Sequence, residues 1–193
     1  MSIPKLPAPL NTLARQHVRE LTLKAGEAVF LQNAPTTGLF YTLTGIIDLR
    51  RTTPEGHDIL IHRARAADTF AEASLFSECY HCSAIAAVDS VVVECSRVAI
   101  TEQLADNADF AQQLLHRFAR QLQASRRQVE LLHIKSADQR IIAALHDGLL
   151  VDDINTFANT IGLTPPTVYR TLRQLADSGT VTKSARGKYQ LTQ

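Results

Sequence analysis

The sequence predicts an α+β protein in three parts: a β-rich N-terminal domain of the sandwich, roll or barrel type, a long amphipathic helix, and a small C-terminal winged helix-turn-helix. Three observations carry that expectation. Short β-prone runs separated by turn signals fill residues 18–95. From Asp109 the apolar residues recur at spacings of three and four. Beyond residue 153, two short helical runs meet at a glycine and are followed by a hairpin signal. The 193 residues are 45% apolar and balance 20 Lys+Arg against 19 Asp+Glu, which excludes a disordered chain. Three cysteines cannot all pair with one another, so no disulfide framework is expected. The longest apolar runs, such as 84–88 and 141–145, are far shorter than the ~18 residues of a membrane span. Pro4, Pro7 and Pro9 interrupt the N-terminus where a leader would need a continuous apolar stretch. A cytoplasmic protein with reduced thiols and no membrane partner is the expectation.

A short helix over 10–16 opens the chain. Strands are then expected over 18–23, 28–32, 38–44, 46–51, 58–63, 83–88 and 91–95. Turn signals stand at Lys24-Ala25-Gly26, Thr44-Gly45, Thr53-Pro54-Glu55-Gly56 and Asp89-Ser90. The helical stripe that follows runs through Phe110, Leu114, Phe118, Leu122, Ser125, Val129 and Leu132, widened by Leu115, Leu131 and Ile134. It makes one helix of roughly 24 residues, ~36 Å long. Such a helix is either a long core element or a parallel coiled-coil-like seam. Its continuation past the β-rich part favours the seam, and with it a homodimer. Ser136 is the candidate N-cap of a next amphipathic segment over 139–150. The expected domains are therefore 1–108, 109–135 and 136–193.

The last part is the most informative. A helix-turn-helix needs a small residue where its helices touch, a residue that tolerates positive φ in the turn, and apolar positions that bind the second helix to the first. Ala158, Gly162, and Val168 with Leu172 and Leu175 meet those needs in order. Thr164 is a good N-cap, and Pro165 suits the first helical position, whose amide has no partner in any case. Side chains at the start of such a helix enter the major groove of double-stranded DNA. Arg170 is the candidate base contact, with Thr164, Thr167, Tyr169 and Arg173 on phosphates. A hairpin over 179–183 and 188–191 forms the wing, placing Lys183, Arg186 and Lys188 against the backbone. From Thr164 onward these five basic residues face a single acid, Asp177, as a polyanion partner requires.

The chain as a whole resembles the cyclic-AMP receptor protein/FNR (CRP/FNR) family of bacterial transcription regulators. The resemblance rests on Gly45 after the third strand, on the segment Asp68-Thr69-Phe70-Ala71-Glu72-Ala73-Ser74-Leu75-Phe76, similar to the family's phosphate-binding cassette, and on the helix-turn-helix. It implies an N-terminal double-stranded β-helix, a cyclic-nucleotide-binding-like β-roll that senses an effector, followed by a dimerisation helix and the winged DNA-binding domain. It further implies a homodimer that binds inverted-repeat operators and contacts RNA polymerase. The effector pocket would comprise Ala71, Glu72, Cys82, Ser83 and Ser125, with Glu72 on a ribose hydroxyl and Ser125 on a base.

Departures from the family pattern bear on mechanism. Members that bind cyclic AMP carry a glycine before the glutamate and an arginine before the serine; here those positions are Ala71 and Cys82. Burying a cyclic phosphate without its cation is costly, which argues against cyclic AMP bound in the usual way. Many relatives open the recognition helix with Arg-Glu, where this chain has Pro165-Pro166, whose side chains cannot hydrogen-bond to bases. Its operator is therefore expected to differ from the usual half-site.

Cys79, His81 and Cys82 form a C-Y-H-C run, with Cys95 on a nearby strand. Small buried or surface roles are the default for such residues. Haem or metal binding and thiol redox sensing are the functional alternatives, and the family's haem-containing CO sensor uses a cysteine and a histidine two apart in this region. An FNR-type iron-sulfur cluster is not expected, because no cysteine precedes Cys79. A cupin-like enzyme built on His57, His62 and Glu72 is disfavoured: an odd separation on a strand puts the two histidines on opposite faces. No catalytic residue is assigned. A ligand-independent architectural protein is the remaining alternative.

Overall fold

The computed structural model describes residues 6–150, 153–185 and 187–192. The chain enters through two short 3-10 turns, Leu10–Thr12 and Arg15–His17, in place of the single helix expected over 10–16. Leu13 between them is extended and buried, so the segment is anchored by Leu10 and Leu13 and interrupted where the second sits. Eight antiparallel strands follow: β1 Val18–Leu23, β2 Ala28–Phe30, β3 Gly38–Thr44, β4 Ile46–Thr52, β5 Asp58–Arg65, β6 Thr69–Phe70, β7 Ser83–Ala86 and β8 Ser90–Ser96. They form two four-stranded sheets, ordered β1-β8-β3-β6 and β2-β7-β4-β5. In the first, Val18 pairs with Cys95 and Leu23 with Ser90; in the second, Ile47 lies between Ala64 and Ala86.

Burial of one face of each sheet holds the roll together. Leu23, Phe30, Phe40, Ile47, Leu49, Phe70, Tyr80 and Val92 form its core. Gly45 makes the turn between β3 and β4 with φ +90°, and a Cβ there would collide with the Ser90 side chain and the Asp89 carbonyl. Only glycine meets both demands.

Two elements had no signal in the sequence. β6 is just two residues long, and helix α1 (Arg97–Asp106) buries only Ala99 and Ile100, too narrow a stripe to show a period. Asn107 then breaks the helix and caps the next by accepting the Phe110 amide N–H at 3.1 Å. Helix α2 (Ala108–His133) is continuous over 26 residues, ~39 Å. The chain divides into two compact units between His116 and Arg117, inside this helix.

The C-terminal unit holds the rest of α2, then α3 (Ala137–His146), α4 (Ile154–Thr160), α5 (Pro165–Asp177) and the hairpin β9 (Val181–Ala185) and β10 (Lys188–Leu191). Ser136 caps α3 by accepting the Gln139 amide N–H. The core of this unit is Leu131, Ile141, Ala144, Ile154, Phe157, Ala158, Ile161, Val168, Leu172, Leu175 and Val181. Leu131 contributes the rear of α2 to that core, which ties the helix end to the winged domain.

Candidate nucleic-acid interface and effector pocket

Asp153 starts α4 by accepting the amide N–H groups of Asn155 (2.7 Å) and Thr156 (3.0 Å). The helix buries Ala158 fully and ends at Thr160, and the turn that follows passes through Gly162, whose φ is +63°. Thr164 then caps α5: its Oγ1 accepts the Thr167 amide N–H at 3.4 Å and lies 2.8 Å from the Thr167 Oγ1. Such a cap contributes ~1 kcal/mol and sets where the helix begins. α5 is sharply two-sided. Val168, Thr171, Leu172 and Leu175 are buried, while Pro166, Tyr169, Arg170 and Arg173 share the exposed face, with Pro165 and Thr167 half-buried beside them. In the wing, Lys183 and Lys188 are exposed and Lys183 Nζ stands 5.8 Å from the Tyr189 ring centroid. Arg186, also assigned to the wing, lies outside the described residues.

One residue of this region gave no signal in the sequence. Arg140, on α3, donates from Nε to the Ile134 carbonyl (2.9 Å), from Nη1 to those of Ile161 (3.0 Å) and Gly162 (3.3 Å), and from Nη2 to those of Leu132 (3.2 Å) and Ile134 (2.6 Å). Its acceptors come from two separate stretches of chain, 132–134 and 161–162, which no local pattern announces.

In the roll, Ala71 takes a left-handed backbone, φ +68°, and opens a 3-10 turn over Glu72–Ser74. Glu72 Oε1 accepts the Thr69 hydroxyl at 2.6 Å. Ser83 Oγ accepts the Gln32 amide N–H at 2.9 Å. Cys82 is half-buried, and burial pushes its thiol pKa up against the opposing pull of Arg51. Ser125 is exposed on α2, in the C-terminal unit. Phe30, Phe40, Phe70 and Tyr80 pack in the interior of the roll, in the same cluster as Ala71. Phe30 stacks on Tyr80 at 3.7 Å between centroids and lies 5.3 Å from Phe40, which stacks on Phe70 at 5.2 Å. The Tyr80 hydroxyl accepts the amide N–H groups of Thr37 (3.0 Å) and Gly38 (3.2 Å) and donates to the Gly38 carbonyl (3.1 Å).

Cys79 is exposed, as is His81, whose Nε2 lies 3.0 Å from the Ser77 hydroxyl. Cys95 is buried and its thiol pKa is pushed up to about 12 by desolvation, reinforced by Glu94. Among the described residues, no group of three or more His, Cys, Asp or Glu side chains is placed to hold a metal ion.

Along α2 the stripe read from the sequence divides. Phe110 and Leu114 are 2% and 1% exposed, so they have no surface to give a partner. The apolar residues left open are Leu115 (69% exposed), Leu122 (51%), Val129 (52%) and Leu132 (45%), in line with half-buried Phe118 and exposed Ser125. Positions 115, 118, 122, 125, 129 and 132 alternate spacings of three and four without a fault, the heptad pattern of a coiled-coil seam. The open stripe thus starts at Leu115, where the sequence placed Phe110 and Leu114 in the seam.

Residues 20–107 match the family model of the cyclic nucleotide-binding domain. The CRP-like cAMP-activated global transcriptional regulator of Mycobacterium tuberculosis is 26% identical over 117 residues, 60% of this chain and 52% of that protein. The match thus spans about half the length of that curated relative. Among solved structures, FixK2 from Bradyrhizobium japonicum superposes with a TM-score of 0.64 at 21% identity, covering 91% of this chain and 93% of its own. DNR from Pseudomonas aeruginosa gives 0.57 at 25% identity, covering 97% and 88%. No described helix is long and apolar enough to cross a membrane. Residues 20–107 thus carry a cyclic nucleotide-binding domain, and the chain is similar in sequence to a CRP-like regulator and in fold to FixK2 and DNR over nine-tenths of its length.

Proposed function

We propose that the protein is a homodimeric, sequence-specific DNA-binding regulator and not an enzyme, whose two copies pair along the 115–132 stripe and read an inverted-repeat operator with α5. The carrying observation is the two-sided recognition helix: one face buried through Val168, Leu172 and Leu175, the other presenting Tyr169, Arg170 and Arg173 to solvent beside the basic wing. Arg170 reads a base edge; Thr164, Thr167, Tyr169, Arg173, Lys183, Arg186 and Lys188 engage the backbone, with Pro165 and Pro166 shaping the helix start. RNA polymerase is the partner through which such a dimer acts on transcription.

The β-roll senses a small effector other than cyclic AMP held in the usual manner. Cys82 stands where the resemblance requires a cation, the Ser83 hydroxyl already serves the Gln32 amide, and Ala71 packs in one cluster with Phe30, Phe40, Phe70 and Tyr80. Selection of binding sites from random DNA, with and without cyclic AMP, tests both parts. An enriched inverted repeat bound by two chains, with affinity unchanged by the nucleotide, is expected. Failure to enrich any repeat defeats the DNA-reading assignment, and a saturable gain in affinity with cyclic AMP defeats the effector assignment.

A further inference from the structure

We propose that Arg140 is the positioning residue of the DNA-reading helix: its guanidinium locks the turn between α4 and α5 to the end of α2, so that the orientation of α5 is set by the helix that carries the seam. The proposal rests on the assignment of α5 as the recognition helix. An arginine offers five N–H donors in a rigid fork. Here all five go to backbone carbonyls, two of them (Ile161, Gly162) at the end of α4 and two (Leu132, Ile134) at the end of α2. These carbonyls lie at or just past two helix C-termini, where the macrodipoles also favour a cation.

Two further contacts cross the same junction. Gln128 Nε2, on α2, donates to the Thr160 carbonyl at 3.3 Å. Leu132 presses on Gly162, its Cδ2 2.5 Å from where a Cβ would stand. Three consecutive carbonyls, those of Thr160, Ile161 and Gly162, are therefore held by Gln128 and Arg140, and α5 starts two residues later at the Thr164 cap. Leu132 is also the last position of the open heptad stripe. Pairing of two copies through that stripe would thus be transmitted to the start of each recognition helix over a single rigid junction, fixing the separation at which half-sites are read.

The test compares the full chain with Arg140→Gln, which removes charge and fork, and with Arg140→Lys, which keeps charge alone. Spin labels placed at exposed Gln123 and Gln174 as noncanonical residues, diluted into unlabelled chains, report the distance from α2 to α5 within one copy. A narrow distribution in the parent and at least a twofold broader one in both variants is expected, with circular dichroism unchanged. The second readout is operator spacing. The parent should prefer its selected operator over versions one base pair longer or shorter by about tenfold or more, ~1.4 kcal/mol. The variants should bind all three within about threefold, and their salt dependence should match the parent's. A purely stabilising role would weaken all three operators alike and leave that preference intact. Folded variants with the parent's distance distribution overturn the proposal, and a wild-type spread in Arg140→Lys does so even if Arg140→Gln fails to fold. If the parent binds no DNA, the function assignment falls while the label distances still decide the role of Arg140.

Discussion

Arg63 grips Asp48 with both edges of its guanidinium, Nε to Oδ1 at 2.6 Å and Nη2 to Oδ2 at 2.9 Å, while Arg50 adds a third contact to Oδ2 at 2.9 Å. Asp48 is almost wholly buried in the second sheet, where burial alone would raise its pKa. Hydrogen bonds from the two arginines outweigh that cost and hold the carboxyl below its usual range. The folded state therefore favours the ionised form. Its stabilisation is complete at pH values above the unfolded pKa, about 4, and is lost as pH falls through the lower folded value. Asp48→Asn should lower stability by about 1–3 kcal/mol at pH 7, moderated because both guanidiniums reach water. Urea unfolding of parent and variant at pH 7, 5, 4 and 3 checks this, and a gap that widened toward acid would contradict it.

Arg170→Ala should cost about 1–3 kcal/mol at the preferred operator and relax preference at one base pair of each half-site, as expected for a bidentate base contact. Arg173→Ala should weaken binding to all sequences evenly and reduce the salt slope by about one. Fluorescence anisotropy across a salt series distinguishes the two. An Arg170 variant with undiminished specificity would remove it from the base-reading set.

Leu122→Glu places a charge at the centre of the open heptad stripe. Dimerisation should weaken by more than about tenfold, ~1.4 kcal/mol, since like charges would meet across a parallel seam. Leu114→Ala makes the opposite case: it should destabilise the N-terminal unit by about 2–5 kcal/mol and leave association of the folded protein unchanged, because Leu114 is buried at home. Sedimentation equilibrium beside thermal melts would show whether those two effects separate.

The thiols should label in the order of their burial. Exposed Cys79 reacts first with a disulfide reagent at pH 8, half-buried Cys82 more slowly, and Cys95, raised to about 12, only on unfolding. Timed labelling with mass analysis reads that order. Rapid modification of Cys95 in the folded protein would contradict its placement between β1 and β3.

Strands were legible where alternation and turn chemistry coincided: β1 and β3 lie where their patterns put them, and Gly45, Thr164 and Gly162 each announced a backbone requirement that the fold imposes. The choice between Leu114 and Leu115 was not legible, since both rows are apolar and only burial by the chain's own core decides which remains open. Asp48 and Arg140 were silent for another reason. Each acquires its role from partners brought together by tertiary structure, Arg63 across a strand pair and carbonyls from the ends of two helices. A polar residue in an otherwise ordinary element carries no mark of that future company.

Helix α2 is continuous through residue 117, where the two compact units divide. One residue added or removed near Arg117 would turn the rest of α2 by about 100° and shift it ~1.5 Å along the helix axis. It would also split the heptad stripe into two rows that face different ways. Changes of seven residues come close to restoring phase. Length variation among chains of this design should therefore collect in loops such as those after β4 and after α3, while the count of residues along α2 is inherited as a fixed measure.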